Sequence, residues 1–161
     1  MSLGEVWLRS ETEARGASVD WTDPECPVAR TLDLVGDRWS LLVVRDAMDG
    51  ARSFGDFQRR TGIARNILSD RLRKLTERGV LVRGPGPTGK RPVYELTPAG
   101  ADLFAVVVAL RQWGERHAFA DGEAHSTLVD AEGRPVPPLV PVDAAGAALP
   151  AGRSRVVHVE G

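Results

Sequence analysis

The chain predicts a mainly α fold with one small β-hairpin, followed by a β-rich C-terminal extension. Three observations carry that prediction. Apolar residues recur at three- and four-residue spacing in successive short segments between Pro27 and about Phe119. Two β-branched runs bracket a Gly/Pro/Lys/Arg turn at 84–92. Prolines at 135, 137, 138, 141 and 150 argue against helix near the C-terminal end and limit any sheet there to edges. With 161 residues, 42% apolar and 27% charged, the chain can bury one core and carry an appendage. We divide it into an arm (1–25), a helical domain (26–120) and the extension (121–161), and find no internal repeat.

The elements follow in order. Residues 1–25 lack a sustained period, and Val6, Trp7 and Leu8 form an isolated apolar patch that must dock to be ordered. Pro27 suits a first helical position, Val28, Leu32 and Val35 share a face, and Gly36 ends the helix. A second helix over about Trp39–Met48 aligns Trp39, Leu42, Val43 and Ala47. Ser53 caps a short third helix that turns Phe54 and Phe57 inward and closes at Gly62. The fourth is the most legible: Ile67, Leu68, Leu72 and Leu75 form its stripe, Arg65, Asn66, Ser69, Arg73 and Lys74 its opposite face, and Gly79 its stop. Val80–Arg83 and Val93–Leu96 then read as a hairpin with a basic tip, and Thr97 caps a long fifth helix through Leu103, Val106, Val107, Leu110 and Trp113 to about Phe119. Beyond it, Thr127–Val129, Leu139–Val142 and Val156–Val159 are short β-like runs.

Charge is partitioned. Residues 1–25 carry a net −4 and 120–161 a net −3, whereas 51–92 holds eleven basic groups against three acids. Such density suits a polyanion partner, although a solvated basic face would look the same. The order of elements is that of a winged helix-turn-helix, and its logic is direct: an α-helix fits the major groove of B-DNA, where each base pair shows its own donor and acceptor pattern. Arg65, Ser69 and Arg73 emerge together at i, i+4 spacing, with Asn66 beside Arg65. Asn66 suits an adenine edge and Arg65 a guanine edge. Arg71 and Lys74 are placed for phosphate, Lys90 and Arg91 sit at the wing tip, and Arg52, Arg59 and Arg60 on or near the third helix can clamp the backbone. The long fifth helix and the arm exceed what one winged helix needs, so a homodimer on an inverted-repeat operator in double-stranded DNA is expected.

The run from Cys26 to Arg83 resembles the HxlR-type branch of the MarR-related winged-helix regulators. The resemblance rests on Cys26–Pro27, Gly36 with Trp39, Arg52–Ser53–Phe54, Leu68 with Leu72, Tyr94–Thr97, and Trp113–Gly114, over about residues 26–117. It implies a dimeric DNA-binding transcription regulator. The cysteine matching Cys26 in related regulators can sense oxidants, which makes Cys26 a candidate redox sensor. A thiol before a helix N-terminus feels the positive end of the helix dipole, Asp23 and Glu25 act the other way, and a structural cysteine is the alternative. Two departures stand out: Ala64 stands where such proteins often carry a capping Ser, and residues 122–161 have no counterpart in short members.

Trp39, Phe104, Trp113 and Phe119 are candidates to line an effector pocket, or simply to fill the core and dimer interface. His117, His125 and His158 share no ligand spacing, so neither a metal nor a cofactor is expected. No nucleophile–base arrangement has supporting context, so an enzyme is not expected. The acidic start lacks a signal-peptide pattern, no run of about 18 apolar residues exists to span a membrane, and the single cysteine fits a reducing, cytoplasmic setting with the protein on the nucleoid. Two rival classes remain: a winged-helix protein-interaction module without DNA binding, and a ligand-binding or enzymatic role centred on the C-terminal tail.

Overall fold

The computed structural model describes residues 19–160, so Val6, Trp7 and Leu8 of the expected arm lie outside the described residues. The chain divides into two compact units, one up to Val107 and one from Val108. In the first, α1 (Pro27–Val35), α2 (Ser40–Met48), α3 (Phe54–Thr61) and α4 (Arg65–Glu77) precede β1 (Leu81–Pro85), β2 (Pro92–Leu96) and α5 (Pro98–Asp102). α6 (Phe104–His117) contains the division between the units. This is the element order of the expected winged helix-turn-helix.

Local chemistry explains where the helices begin. The Cys26 Sγ accepts from the Ala29 amide at 3.4 Å, and Pro27 opens α1. At α2, Asp37 Oδ1 accepts from the amides of Trp39 (3.0 Å) and Ser40 (3.1 Å), and the buried Ser40 hydroxyl donates to Oδ2. α3 opens with a capping box: Ser53 Oγ accepts from the Asp56 amide at 3.1 Å, and Asp56 Oδ2 accepts from the Ser53 amide at 2.9 Å. Backbone amides of Ser53 and Arg52 hold the Asp56 carboxyl well below the ordinary range, at about 2. Gly62 ends α3 at φ +67°, in the left-handed region that glycine enters without a Cβ clash. At α4 the cap is Ala64 and no side chain bonds the first turn, as the sequence led us to expect.

Phe57, Leu68, Leu72, Leu75, Leu81, Val43 and Val44 are fully buried and form the centre of the core, at about 1.5–3 kcal/mol for each large side chain. β1 and β2 pair antiparallel in the register Leu81↔Leu96, Arg83↔Tyr94, Pro85↔Pro92. For the wing the sequence showed these two strands, but Ser53 bridges Val93 and the Tyr94 amide donates to Arg52 O at 2.8 Å, adding a third short edge. Thr97 caps α5 through the Gly100 amide at 3.0 Å. A Cβ on Gly100 would lie 2.1 Å from Val80 O, so α5 lies against the residue that precedes β1 at a distance only glycine allows.

Five expectations change. The long fifth helix is interrupted at Leu103, giving α5 and α6. On α1 only Val35 is buried; Val28 (68%) and Leu32 (59%) are exposed. Ile67 is 36% exposed, because Leu68, Leu72 and Leu75 fill the inward stripe and leave it at the margin. The extension also contains an internal repeat after all. Leu128–Val136 and Pro141–Leu149 are equivalent tight hairpin turns, closed by the bridges Val129↔Pro135 and Val142↔Ala148. In each, one aspartate oxygen accepts two downstream amides: Asp130 takes Glu132 and Arg134, and Asp143 takes Ala145 and Ala147. Val156–Val159 forms no strand.

Candidate nucleic-acid interface

Burial of Leu68, Leu72 and Leu75 dictates what α4 shows to solvent. Arg65, Asn66, Ser69 and Arg73 are exposed and Lys74 is half-buried. Two ties fix the helix to the α1–α2 corner. Arg71 Nε lies 3.2 Å from Asp37 Oδ1, and Arg78 Nη1 donates to Leu34 O at 2.6 Å. Burial raises the Asp37 carboxyl, but the Ser40 hydroxyl, the two amides and Arg71 outweigh it and hold the group below the usual range. Arg71, assigned from the sequence to phosphate, therefore serves an internal ion pair.

Beside the start of α4 lies a groove of about 480 Å³ lined by Ser53, Phe54, Gly55, Arg59, Arg65, Arg91 and Pro92. It gathers three arginines from α3, α4 and the wing. The Arg65 guanidinium sits 5.1 Å from the Phe54 ring centroid, and its Nη1 lies 3.4 Å from Gln58 Oε1. Arg59 Nη2 is 2.5 Å from Asp56 Oδ1. A second groove, about 260 Å³, lies between α4 and the wing and is lined by Ser69, Arg73, Thr76, Glu77, Arg83 and Tyr94. Lys90 and Arg91 are exposed at the wing tip.

The remaining cations are engaged within the chain. Arg52 Nη1 donates to Ala47 O and Ala51 O at 2.9 Å each, and its Nε lies 3.7 Å from Glu95. Arg60 Nη2 donates to Asp49 O at 3.2 Å. Arg73 bridges Asp70 (2.7 Å) and Glu77 (2.8 Å), and Lys74 Nζ is 3.0 Å from Asp70 Oδ2. These pairs raise the Arg73 guanidinium through Glu77 and then Asp70, and lower Asp70 through Lys74 and then Arg73. Sequence reasoning missed Arg83 and Tyr94, which only strand register brings beside Ser69 and Arg73. It also missed the acids of α4, although the i, i+3 and i, i+4 spacing of Asp70, Arg73, Lys74 and Glu77 signals them.

Cys26 is half-buried at the start of α1. Trp39 packs against the core, beneath the Arg38 guanidinium at 4.8 Å. Phe104 (51%) and Trp113 (58%) are exposed. Among the described residues no helix is long and apolar enough to cross a membrane.

Comparison with known proteins agrees with this architecture. A model of HxlR-like helix-turn-helix proteins matches residues 34–121, more than half of the chain. An uncharacterised HTH-type transcriptional regulator of Mycobacterium tuberculosis is 50% identical over 91 residues, covering 56% of this chain and 58% of that protein, so the chain spans less than two thirds of that relative. Among solved structures, PA1607, classed provisionally as a transcription factor, gives a TM-score of 0.81 at 48% identity, covering 84% of this chain and 96% of its own. The reduced form of the redox regulator HypR gives 0.54 at 29% identity, covering 58% and 94%. The chain belongs to the HxlR-like helix-turn-helix family.

Proposed function

We propose that this HxlR-like helix-turn-helix protein is a sequence-specific DNA-binding transcription regulator that acts as a homodimer on an inverted-repeat operator, under control of a redox signal or a small-molecule effector. One observation carries the reading. α4 is anchored on its inner side by three buried leucines and shows Arg65, Asn66 and Ser69 outward, beside a groove that collects Arg59 and Arg91. A rod of this kind delivers bidentate donors to base edges while its flanks hold phosphate. Arg65 reads guanine, Asn66 adenine, and the exposed Ile67 suits a thymine methyl. Ser69 extends the reading face, and Arg73 joins it on leaving Asp70 and Glu77. Lys90 and Arg91, with Arg83 from β1, contact the backbone, whereas Arg59, Arg60, Arg52 and Lys74 reach phosphate only by leaving their present partners. The uncapped first turn of α4 offers its amides to phosphate as well.

Dimerisation is supported by apolar side chains that the described residues leave uncovered, Val28 and Leu32 on α1 and Leu110 and Trp113 on α6. A two-fold dimer presents two reading helices about one turn of DNA apart, or a multiple of it. Control is supported by the half-buried Cys26 thiol at the start of α1, and HypR, a redox regulator, shares the fold. Phe104 and Trp113 are the side chains we assign to an effector pocket or to the interface.

The test is selection of duplexes from a randomised pool, followed by gel shift across salt and sedimentation of the free protein. We expect an enriched palindromic sequence, a dimeric mass, and affinity that falls steeply with salt. No enriched sequence would overturn the reading in favour of a protein-interaction module.

A further inference from the structure

We propose that Asp70 restrains sequence-independent binding: by holding Arg73 and Lys74 against α4, it keeps the outer face of that helix from gripping duplex DNA through charge alone. The inference rests on the DNA-binding reading and adds to it a residue that works against binding.

The geometry is asymmetric along one helix. Asp70 Oδ1 accepts from Arg73 Nη2 at 2.7 Å, and Oδ2 lies 3.0 Å from Lys74 Nζ and 3.7 Å from Arg71 Nη1. Glu77 takes the other end of Arg73, with Nη1 2.8 and 2.9 Å from its two oxygens. Three of the four basic groups of α4 thus converge on one carboxylate. The fourth, Arg65, faces instead the Phe54 ring and the Gln58 amide oxygen, in a groove it shares with Arg59 and Arg91. Arg65 in the first turn sits beside other cations, while the basic groups of the second half are paired with Asp37, Asp70 and Glu77.

Any duplex that approaches this face brings phosphates toward a partly exposed carboxylate. Lys74 and Arg73 hold that carboxyl below the ordinary range, so it stays charged at neutral pH. Its repulsion of phosphate is the same on every sequence. Base contacts from Arg65 and Asn66 are gained only on the right one. A penalty common to all duplexes weakens every affinity by the same factor, so at protein concentrations that still saturate the operator it empties non-specific sites first. Losing Asp70 frees Lys74 and leaves Arg73 held by Glu77 alone; each cation that phosphate gains steepens the salt dependence by about 0.9.

The experiment uses the full chain, a duplex of about 30 base pairs selected from the randomised pool, and a scrambled duplex of equal composition. Asp70→Asn is expected to tighten binding to the scrambled and the selected duplex by a similar factor, about tenfold, and to steepen the salt slope of both by about one to two units. Adding Lys74→Gln should return the slope toward wild type, and Glu77→Gln alone should move it less, because Arg73 keeps Asp70. Thermal melting of each variant checks folding, with Asp70→Ser giving the same readout should the asparagine variant melt early. Wild-type affinity for the scrambled duplex in Asp70→Asn, with an unchanged slope, overturns the inference while leaving DNA binding standing. A pool that yields no enriched sequence overturns the DNA-binding reading, and this inference with it.

Discussion

The two compact units are held together by different means. The first is organised around side chains removed from water: Phe57, Leu68, Leu72, Leu75 and Leu81 are essentially inaccessible, and α2, α3 and α4 dock through buried apolar side chains. Beyond α6 the second shows the reverse. Val129, Leu139, Val140 and Val142 remain 45–57% exposed and Val156 92%. Its order there comes from backbone turns, in which Asp130 and Asp143 each collect two amides, and from Gln112, whose side chain donates to Pro137 O and accepts from the Leu139 amide. A core transmits strain and fixes a rod to within fractions of an ångström. Local turn bonds hold only their own few residues. The side chains proposed to read sequence all lie on the unit that has the core.

Mutations can break this contrast, the largest effects first. Leu72→Ala should cost about 2–5 kcal/mol in denaturant unfolding and take duplex binding with it, since it removes the support under α4. A loss under 1 kcal/mol would mean that the first unit does not depend on its core. Arg65→Ala should weaken the selected duplex about 10–100-fold and barely touch a scrambled one, whereas Lys90→Ala should weaken both by a few-fold. Equal effects of the two variants on both duplexes would erase the division between reading and gripping. The smallest effect is expected from Asp143→Ala. It should speed hydrogen exchange at the Ala145 and Ala147 amides, cost about 1 kcal/mol or less, and leave duplex affinity alone. A fall in affinity would show that the second unit shares in binding.

Much of the first unit was legible because its signals are local. Ser53 and Thr97 cap, Gly62 and Gly79 stop, and the leucines of α4 recur at helical spacing; each involves residues within a few positions of one another. The misses are of another kind. Val28 and Leu32 look like core on a helical wheel, but the rest of the described chain does not reach them. The hairpin repeat escaped because its signal is an aspartate three positions before a glycine rather than a period of apolar residues. Arg71 and Arg73 are indistinguishable in composition, yet one faces Asp37 and the other Asp70 and Glu77.

The amino-acid order alone determined which segments are helical, that a hairpin follows the fourth helix, and that positive charge gathers over residues 51–92. Tertiary structure decided which of those charges stand open. A guanidinium is free or quenched according to the carboxylates that packing brings to it. Spacing along one helix predicts a partner three or four residues away, but the Asp37–Arg71 pair and the meeting of Arg59, Arg65 and Arg91 exist only because buried leucines dock α4 against other elements.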